Sequence, residues 1–362
     1  MSQHPEVLIV GGGVIGLTTA YFLAKEGMTV EVLDKGDLGT EASWAGAGII
    51  PPGNPDGAIS AYDRLRAVSS SMYSEFSQEL RSLTGIDNGY RVCGGIEFLD
   101  ENDRETVPAW KTERIEFEPL AQSAYLLPGM AQVRNPWHLR ALIDACKKQG
   151  VRLSPGMPIA TFERRDSTIS GIRLSNGERR SANQYLLAAG AWCENLLEPF
   201  GLSTGIHPVR GQIVLLKTER PQFHRIMLAG KNYLVPREDG HVLIGATEEP
   251  EACFEKENTP DAIAALIAFG NSLVPELARA EMVKCWAGLR PGSRDGLPSI
   301  GRVGNFDNFF LASGHFRAGI QLSPGTGLVV SDLLMSRTSK IPLDDFLPGR
   351  EPGKLFRSAF RS

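Results

Sequence analysis

The 362-residue sequence predicts a two-unit α/β protein, with a parallel sheet in one unit and a mainly antiparallel sheet in the other. Three observations lead there. The N-terminal segment runs from a short apolar stretch through a glycine-rich turn into an apolar helix and a second apolar stretch, the order of a β-α-β unit. The middle of the chain holds short alternating stretches joined by Asn176-Gly177 and Asp239-Gly240, the turn pairs of hairpins. A length of 362 residues leaves room for about two domains at roughly 150 residues each.

From the N-terminus, Val7-Leu8-Ile9-Val10 reads as a strand buried on both faces of a parallel sheet. Gly11-Gly12-Gly13-Val14-Ile15-Gly16 follows and supplies G-x-G-x-x-G. Val14, Leu17, Tyr21 and Ala24 then recur at helical spacing, and Gly27 ends the helix. Residues Val7 to Ala24 form an uncharged stretch of eighteen, long enough to suggest a membrane span. Its four glycines, its change of period and the absence of a basic leader predict a strand, turn and helix of a soluble protein instead. Thr29 to Leu33 is a second strand, and Asp34 stands at its end.

This arrangement predicts dinucleotide binding. Gly11 permits the tight turn, Gly13 lets the backbone approach a pyrophosphate, and Gly16 lets helix and strand pack closely. The helix N-terminus offers free N–H groups to the phosphates, and Asp34 accepts from the adenosine ribose hydroxyls. An acid there disfavours a 2′-phosphate and hence NADP. Residues Lys35 to Ile50 form a small-residue loop without the crossover helix of an NAD-dependent dehydrogenase. Such a loop suits a flavin, although composition alone leaves NAD open.

Asn135-Pro136-Trp137 predicts a helix with Asn135 as cap, apolar at Leu139, Leu142, Ile143 and Cys146 and ended by Gly150. His138 in its first turn reads as a surface or capping residue. Pro158 to Phe162 opens a run of short strands, and Tyr185 to Trp192 returns to a buried one. Gly211 to Leu216, Tyr233 to Pro236 and His241 to Gly245 predict an antiparallel platform, and Phe254 to Leu277 a helical stretch. Ser323 and Pro324 read as the cap and first turn of a last helix, Leu328 to Met335. Its N-terminus would favour nearby negative charge.

Hydrophobic residues make up 42% and charged residues 22%, which rules out a disordered chain and a coiled coil. With 38 basic and 42 acidic residues and no run of five like charges, neither a nucleic-acid tail nor a polybasic membrane patch is expected. The partner class is a small molecule. The five cysteines show no C-x-x-C and read as reduced thiols of a cytoplasmic protein. The six histidines never fall at H-x-x-x-H spacing, and no metal site is proposed.

Three later motifs complete the pattern: Trp286-Ala287-Gly288-Leu289-Arg290-Pro291-Gly292, Asn232-Tyr233-Leu234-Val235-Pro236 and Gly314-His315-Phe316-Arg317-Ala318-Gly319-Ile320. With the Gly11–Gly16 turn, Asp34 and the Ser43 to Ile50 loop, they make the chain resemble the D-amino-acid oxidase superfamily of FAD-dependent amine oxidases. Within it, the chain is similar to the glycine oxidase group of the thiamine-synthesis type, over residues 6–340.

The resemblance implies a Rossmann-like FAD-binding domain from residues 1–85, 145–205 and 284–345. An inserted α+β substrate domain would come from 86–144 and 206–283, and 346–362 would be a loosely packed tail. FAD would be held noncovalently. Its contacts would come from Gly11, Gly13, Val14, Ile15 and Gly16, from Asp34 and Lys35, and from Ala42, Ser43, Ala47, Gly48 and Ile49. Ile159 would lie on the adenine side, and His315, Phe316, Arg317, Ala318, Gly319, Ile320 and Gln321 along the flavin. Related sarcosine oxidases attach FAD to a cysteine, and that position falls near Gly288 rather than on Cys285. Ala318 stands where the family motif often carries Asn.

Arg290 would grip a substrate carboxylate with its planar fork. Tyr233 would donate to the same carboxylate, and Arg317 would reach the substrate region. Apart from His315, no histidine or carboxylate lies in these motifs. The implied reaction is hydride transfer from the α-carbon to flavin N5, reoxidation by O2 to H2O2, and hydrolysis of the imine to a glyoxylate-type acid plus ammonia. It would feed thiamine thiazole synthesis. A D-amino-acid or secondary-amine oxidase or dehydrogenase, and a tRNA-modification flavin domain, are the alternatives. Glu248 replaces a usual methionine and is expected to face water; Pro51-Pro52 stiffens the loop after Gly48. Similar enzymes are often oligomers, so a homo-oligomer is expected.

Overall fold

The computed structural model describes residues 4–353 and Phe360. Val7–Val10 is fully buried at the centre of a six-stranded sheet. It pairs in parallel with Val30–Leu33 on one side and Gln184–Leu187 on the other. Arg152–Ser154 extends the first side and Phe309–Ser313 the second, both in parallel, and the edge strand Ser299–Arg302 runs antiparallel. Two buried faces explain the unbroken apolar runs of these strands.

Helix Val14–Lys25 lies between this sheet and the C-terminal helix Gly319–Leu334, which accounts for its lack of charge before Lys25. The two helices approach closely: a Cβ on Gly327 would stand 2.9 Å from Thr18 Cγ2. The apolar run that imitates a membrane span is thus buried inside the molecule. Among the described residues, no helix is long and apolar enough to cross a membrane.

The second unit is an eight-stranded sheet. Its order is Glu281–Gly292, His207–Lys217, His241–Gly245, Asn232–Pro236, Ile226–Ala229, Gly95–Phe98, Ala124–Leu127 and Glu118–Ala121. All neighbours are antiparallel except Ile226–Ala229 and Gly95–Phe98. The fold class is therefore the one expected. Asp239-Gly240 joins its two strands with Gly240 at φ +82°, a conformation glycine adopts without strain. The 144/145 junction expected from sequence lies inside helix Asn135–Lys148, and 283/284 lies inside strand Glu281–Gly292.

Several local expectations are corrected. Asn135 is the first helical residue rather than the cap, and its side chain instead donates to the Ser43 carbonyl at 2.7 Å. The 254–277 stretch is helical only over Pro260–Leu273, followed by a 3-10 turn Pro275–Arg279. His138 is fully buried, not on the surface. Its Nδ1 lies 3.1 Å from Asn88 Nδ2, Tyr73 and Phe76 flank it, and desolvation pushes its pKa down to about 4. The last helix starts at Gly319, so Pro324 lies in its interior. The tail is better packed than expected: Phe346 is fully buried, and Arg350 grips Asp295 through bonds of 2.8 and 2.9 Å. The rest of that tail, 354–359 and 361–362, lies outside the described residues.

Candidate functional site

Two adjoining cavities lie where the units meet. The larger, of about 290 Å3, runs from Asp34 and Ile159, across the N-terminus of helix Val14–Lys25, to His315–Ile320. The smaller, of about 110 Å3, lies against the eight-stranded sheet. Ala42, Gly46, Arg290, Arg317 and Ile320 line both.

At the first end the backbone is shaped for close approach. Gly11 has φ +112°, and a Cβ there would run into the Ala188 carbonyl. Gly13 and Val14 present the open start of the helix, with the Val14 amide donating to Ser43 Oγ at 2.9 Å. Asp34 accepts from the Gly12 amide at 2.7 Å and the Gly36 amide at 2.9 Å. Burial raises its carboxyl pKa, while these amides and the Lys35 charge act the other way. Gly16 lines neither cavity; it lets the helix close on the Gly11 carbonyl.

The loop after Asp34 is tied to the second unit. Trp44 packs edge-on against Trp286 at 5.2 Å, and Trp286 Nε1 donates to the Ala45 carbonyl at 3.0 Å. Gly288 meets Ala45 where any Cβ would collide, so that position leaves no room for a cysteine. Among the described residues no cysteine lines either cavity. Ala47, Gly48 and Ile49 line the smaller one, and Lys35, Ala42 and Ser43 the larger.

Gly319 and Ile320, rather than Ser323 and Pro324, form the first turn of the last helix, which brings its N-terminus to the cavity wall. His315 beside it is buried. Its Nε2 lies 3.1 Å from Thr326 Oγ1, its Nδ1 has no partner among the described residues, and desolvation holds its pKa down at about 3. Phe316 lines the larger cavity, and Ala318 and Gln321 the smaller.

Tyr233, Arg290 and Arg317 converge on the smaller cavity. Arg290 donates to the Thr247 carbonyl at 2.9 Å and has no carboxylate partner among the described residues. Loss of solvent, then the neighbouring Arg317 charge, brings its pKa down to about 10. Tyr233 is buried against it; burial raises its hydroxyl pKa, and the Arg290 and Arg317 charges oppose that. Arg317 donates to the Lys231 carbonyl at 2.6 Å and pairs with Glu248 at 3.5 Å. Glu248 therefore restrains Arg317 rather than only facing water. Pro51 lines the smaller cavity, and its carbonyl accepts from Ser70 Oγ at 2.9 Å.

Three contributors escape the sequence reading. Trp192 walls the larger cavity, with Lys35 Nζ 3.4 Å above its ring. Glu97 is a buried carboxylate in the wall of the smaller cavity, so an acid does reach the site outside the motifs. Burial in Gly95–Phe98 alternates with Gly95 and Glu97 inward, the reverse of the face that the apolar Ile96 and Phe98 suggest, so the sequence leaves no local signal for it. Arg237 reads as a turn residue but is buried, donating to the Ala47 carbonyl at 2.9 Å, the Val133 carbonyl at 3.1 Å and Gln132. It braces the loop from behind, and nothing in its neighbourhood of the sequence marks it.

The cradle fits FAD. The bare Cα atoms at Gly11 and Gly13, the unpartnered His315 Nδ1 and the length of the larger cavity are features a flavin dinucleotide would use. Comparison with known proteins agrees. The FAD-dependent oxidoreductase family termed DAO matches residues 6–333. A glycine oxidase of Pseudomonas aeruginosa is 36% identical, covering 96% of this chain and 99% of its own. The bifunctional ThiO/ThiG protein of Synechocystis sp. is 32% identical over 97% of this chain and 54% of its own. The crystal structure of glycine oxidase from Geobacillus kaustophilus superposes with a TM-score of 0.88 at 31% identity, covering 97% of this chain and all of that one.

Proposed function

The chain belongs to the DAO family of FAD-dependent oxidoreductases, and from that premise we propose that it oxidises glycine and similar small amino acids with dioxygen. The observation that carries the substrate class is Arg290, a half-buried guanidinium with no ion pair among the described residues, at the wall common to both cavities. A partly buried cation that reaches a carboxylate only through the more distant charge of Glu248 favours an anion that pairs with it directly. FAD, when bound, would supply the hydride acceptor and the redox chemistry with dioxygen.

The protein's part is positioning. Arg290 holds the substrate carboxylate through two parallel N–H donors, and the Tyr233 hydroxyl donates to the same group. The Arg290 and Arg317 charges favour the neutral form of the substrate amine, whose lone pair drives loss of the α-hydrogen. Ile213, Leu228 and Ile49 keep water from the reacting carbon. Asp34 would hold the adenosine end and the turn of Gly11 and Gly13 the pyrophosphate, with no covalent bond to the cofactor. The acid product and ammonia leave as water hydrolyses the imine, in a reaction that supplies thiamine thiazole synthesis.

An anaerobic absorbance spectrum tests this. Flavin bands that bleach with glycine and return in air with formation of peroxide support the proposal. Bands indifferent to glycine but bleached by sarcosine or a D-amino acid replace the substrate, and reduction without reoxidation by air replaces the oxidase with a dehydrogenase. The same reading places the protein in the cytoplasm as a homo-oligomer, which light scattering of the purified holoenzyme measures.

A further inference from the structure

Phe360 stands in the wall of the smaller cavity together with Tyr233, Arg290 and Arg317. It is far along the chain from every motif of the site. Only 4% of its surface is exposed. Its ring stacks on Trp110, with centroids 5.9 Å apart and planes at 29°, and the Arg66 guanidinium lies 4.9 Å from its centre. The socket is itself fixed. Trp110 and Arg66 are fully buried, and Arg66 pairs with Glu113 and donates to the Pro52 carbonyl at 2.7 Å. The ring is therefore part of the packed interior, and a close-packed interior gives way poorly to added volume.

The remaining wall combines bare backbone at Gly211 and Gly288 with the side chains of Glu97, Ile213, Leu228 and Asn232. The cavity measures about 110 Å3, against roughly 300 Å3 at which sites for drug-sized ligands begin. We infer that Phe360 limits substrate size, its ring occupying space that a bulkier amino acid would need. It acts by volume alone, since a phenyl ring offers no hydrogen bond. This inference rests on the reading of the cavity as the site of a small carboxylate.

The test uses holoenzyme and carboxylates that are not turned over. Acetate, propionate, isobutyrate and benzoate are titrated against the flavin absorbance of the parent protein, F360A and F360W. The expected result is that F360A binds isobutyrate and benzoate at least tenfold more tightly relative to acetate, and that F360W shifts the ratio the other way. Equal ratios in all three proteins overturn the inference. Should F360A not retain flavin, F360L decides, with a smaller shift in the same direction expected. Because nothing is oxidised, the outcome stands apart from whether glycine is the substrate: glycine can fail to bleach the flavin while the size ratio still changes.

Discussion

The Arg290 guanidinium lies across the bare Cα of Gly211 on the neighbouring strand, in the space that a Cβ would occupy. The arginine can lie flat over the sheet because residue 211 has no side chain. Gly211→Ala is expected to push the guanidinium off the carboxylate position, and Arg290→Lys to keep the charge while losing the paired donors. A charge-assisted bond contributes about 1.5–3 kcal/mol, so each variant should raise KM for glycine about 10- to 100-fold with flavin content unchanged. Oxygen-consumption kinetics check this; an unaltered KM in Arg290→Lys would remove Arg290 from carboxylate binding.

Asp34 gives a prediction about the cofactor. Its two oxygens hold the amides of Gly12 and Gly36, so the carboxylate shapes the turn as well as meeting a ribose. Asp34→Ala should raise the Kd for FAD at least tenfold. Gly11→Ala should be more severe, because its Cβ meets the Ala188 carbonyl and its φ of +112° is unfavourable for any side chain. Flavin fluorescence on dilution measures both.

The two buried histidines set an acid limit. His138 and His315 are held down at about 4 and about 3, against roughly 6.5 in the unfolded chain. Above pH 6.5 both are neutral in either state, and this contribution to stability is complete. Below it the unfolded chain takes up protons that the folded chain does not, and each histidine removes about 1.4 kcal/mol per pH unit until the folded pKa is reached. Stability from urea unfolding should therefore fall from about pH 6.5 towards pH 4. His138→Phe, which fits between Tyr73 and Phe76, should have the shallower slope; identical slopes would show that His138 already titrates in the folded protein.

The parts of this site that are legible in the sequence are those where one short segment does the whole job. The Gly11–Gly16 turn requires glycine for local reasons, and the strand before it and helix after it announce themselves by period. Glu97, Arg237 and Phe360 are different. Glu97 reaches the cavity because Gly95–Phe98 pairs in parallel with Ile226–Ala229. Arg237 reaches the Ala47 carbonyl only once the two sheets have packed, and Phe360 depends on a socket made by Arg66 and Trp110. The start of the last helix failed for the same reason: Ser323-Pro324 is a good local signal for a helix start, and a side chain from another helix overrides it.

That override yields the last prediction. Pro324 has no N–H, so the carbonyl four residues earlier, that of Ile320, loses its helical partner. Ser323 Oγ donates to it at 2.9 Å, and the buried Tyr73 hydroxyl donates to it from helix Ala61–Thr84. The interior proline is tolerated because two hydroxyls replace one amide. Tyr73→Phe should cost about 1 kcal/mol and lower Tm by a few degrees, and Tyr73→Phe with Ser323→Ala about 1–3 kcal/mol more, since a buried carbonyl is then left unpaired. Pro324→Ala returns an N–H to that carbonyl. It should recover most of the loss in the double variant while changing the parent protein little. If Pro324→Ala gives no recovery, the hydroxyls act elsewhere and the helix accommodates its proline by bending. Because Ile320 lines both cavities, the same series should move the Tm of the holoenzyme more than that of the flavin-free protein.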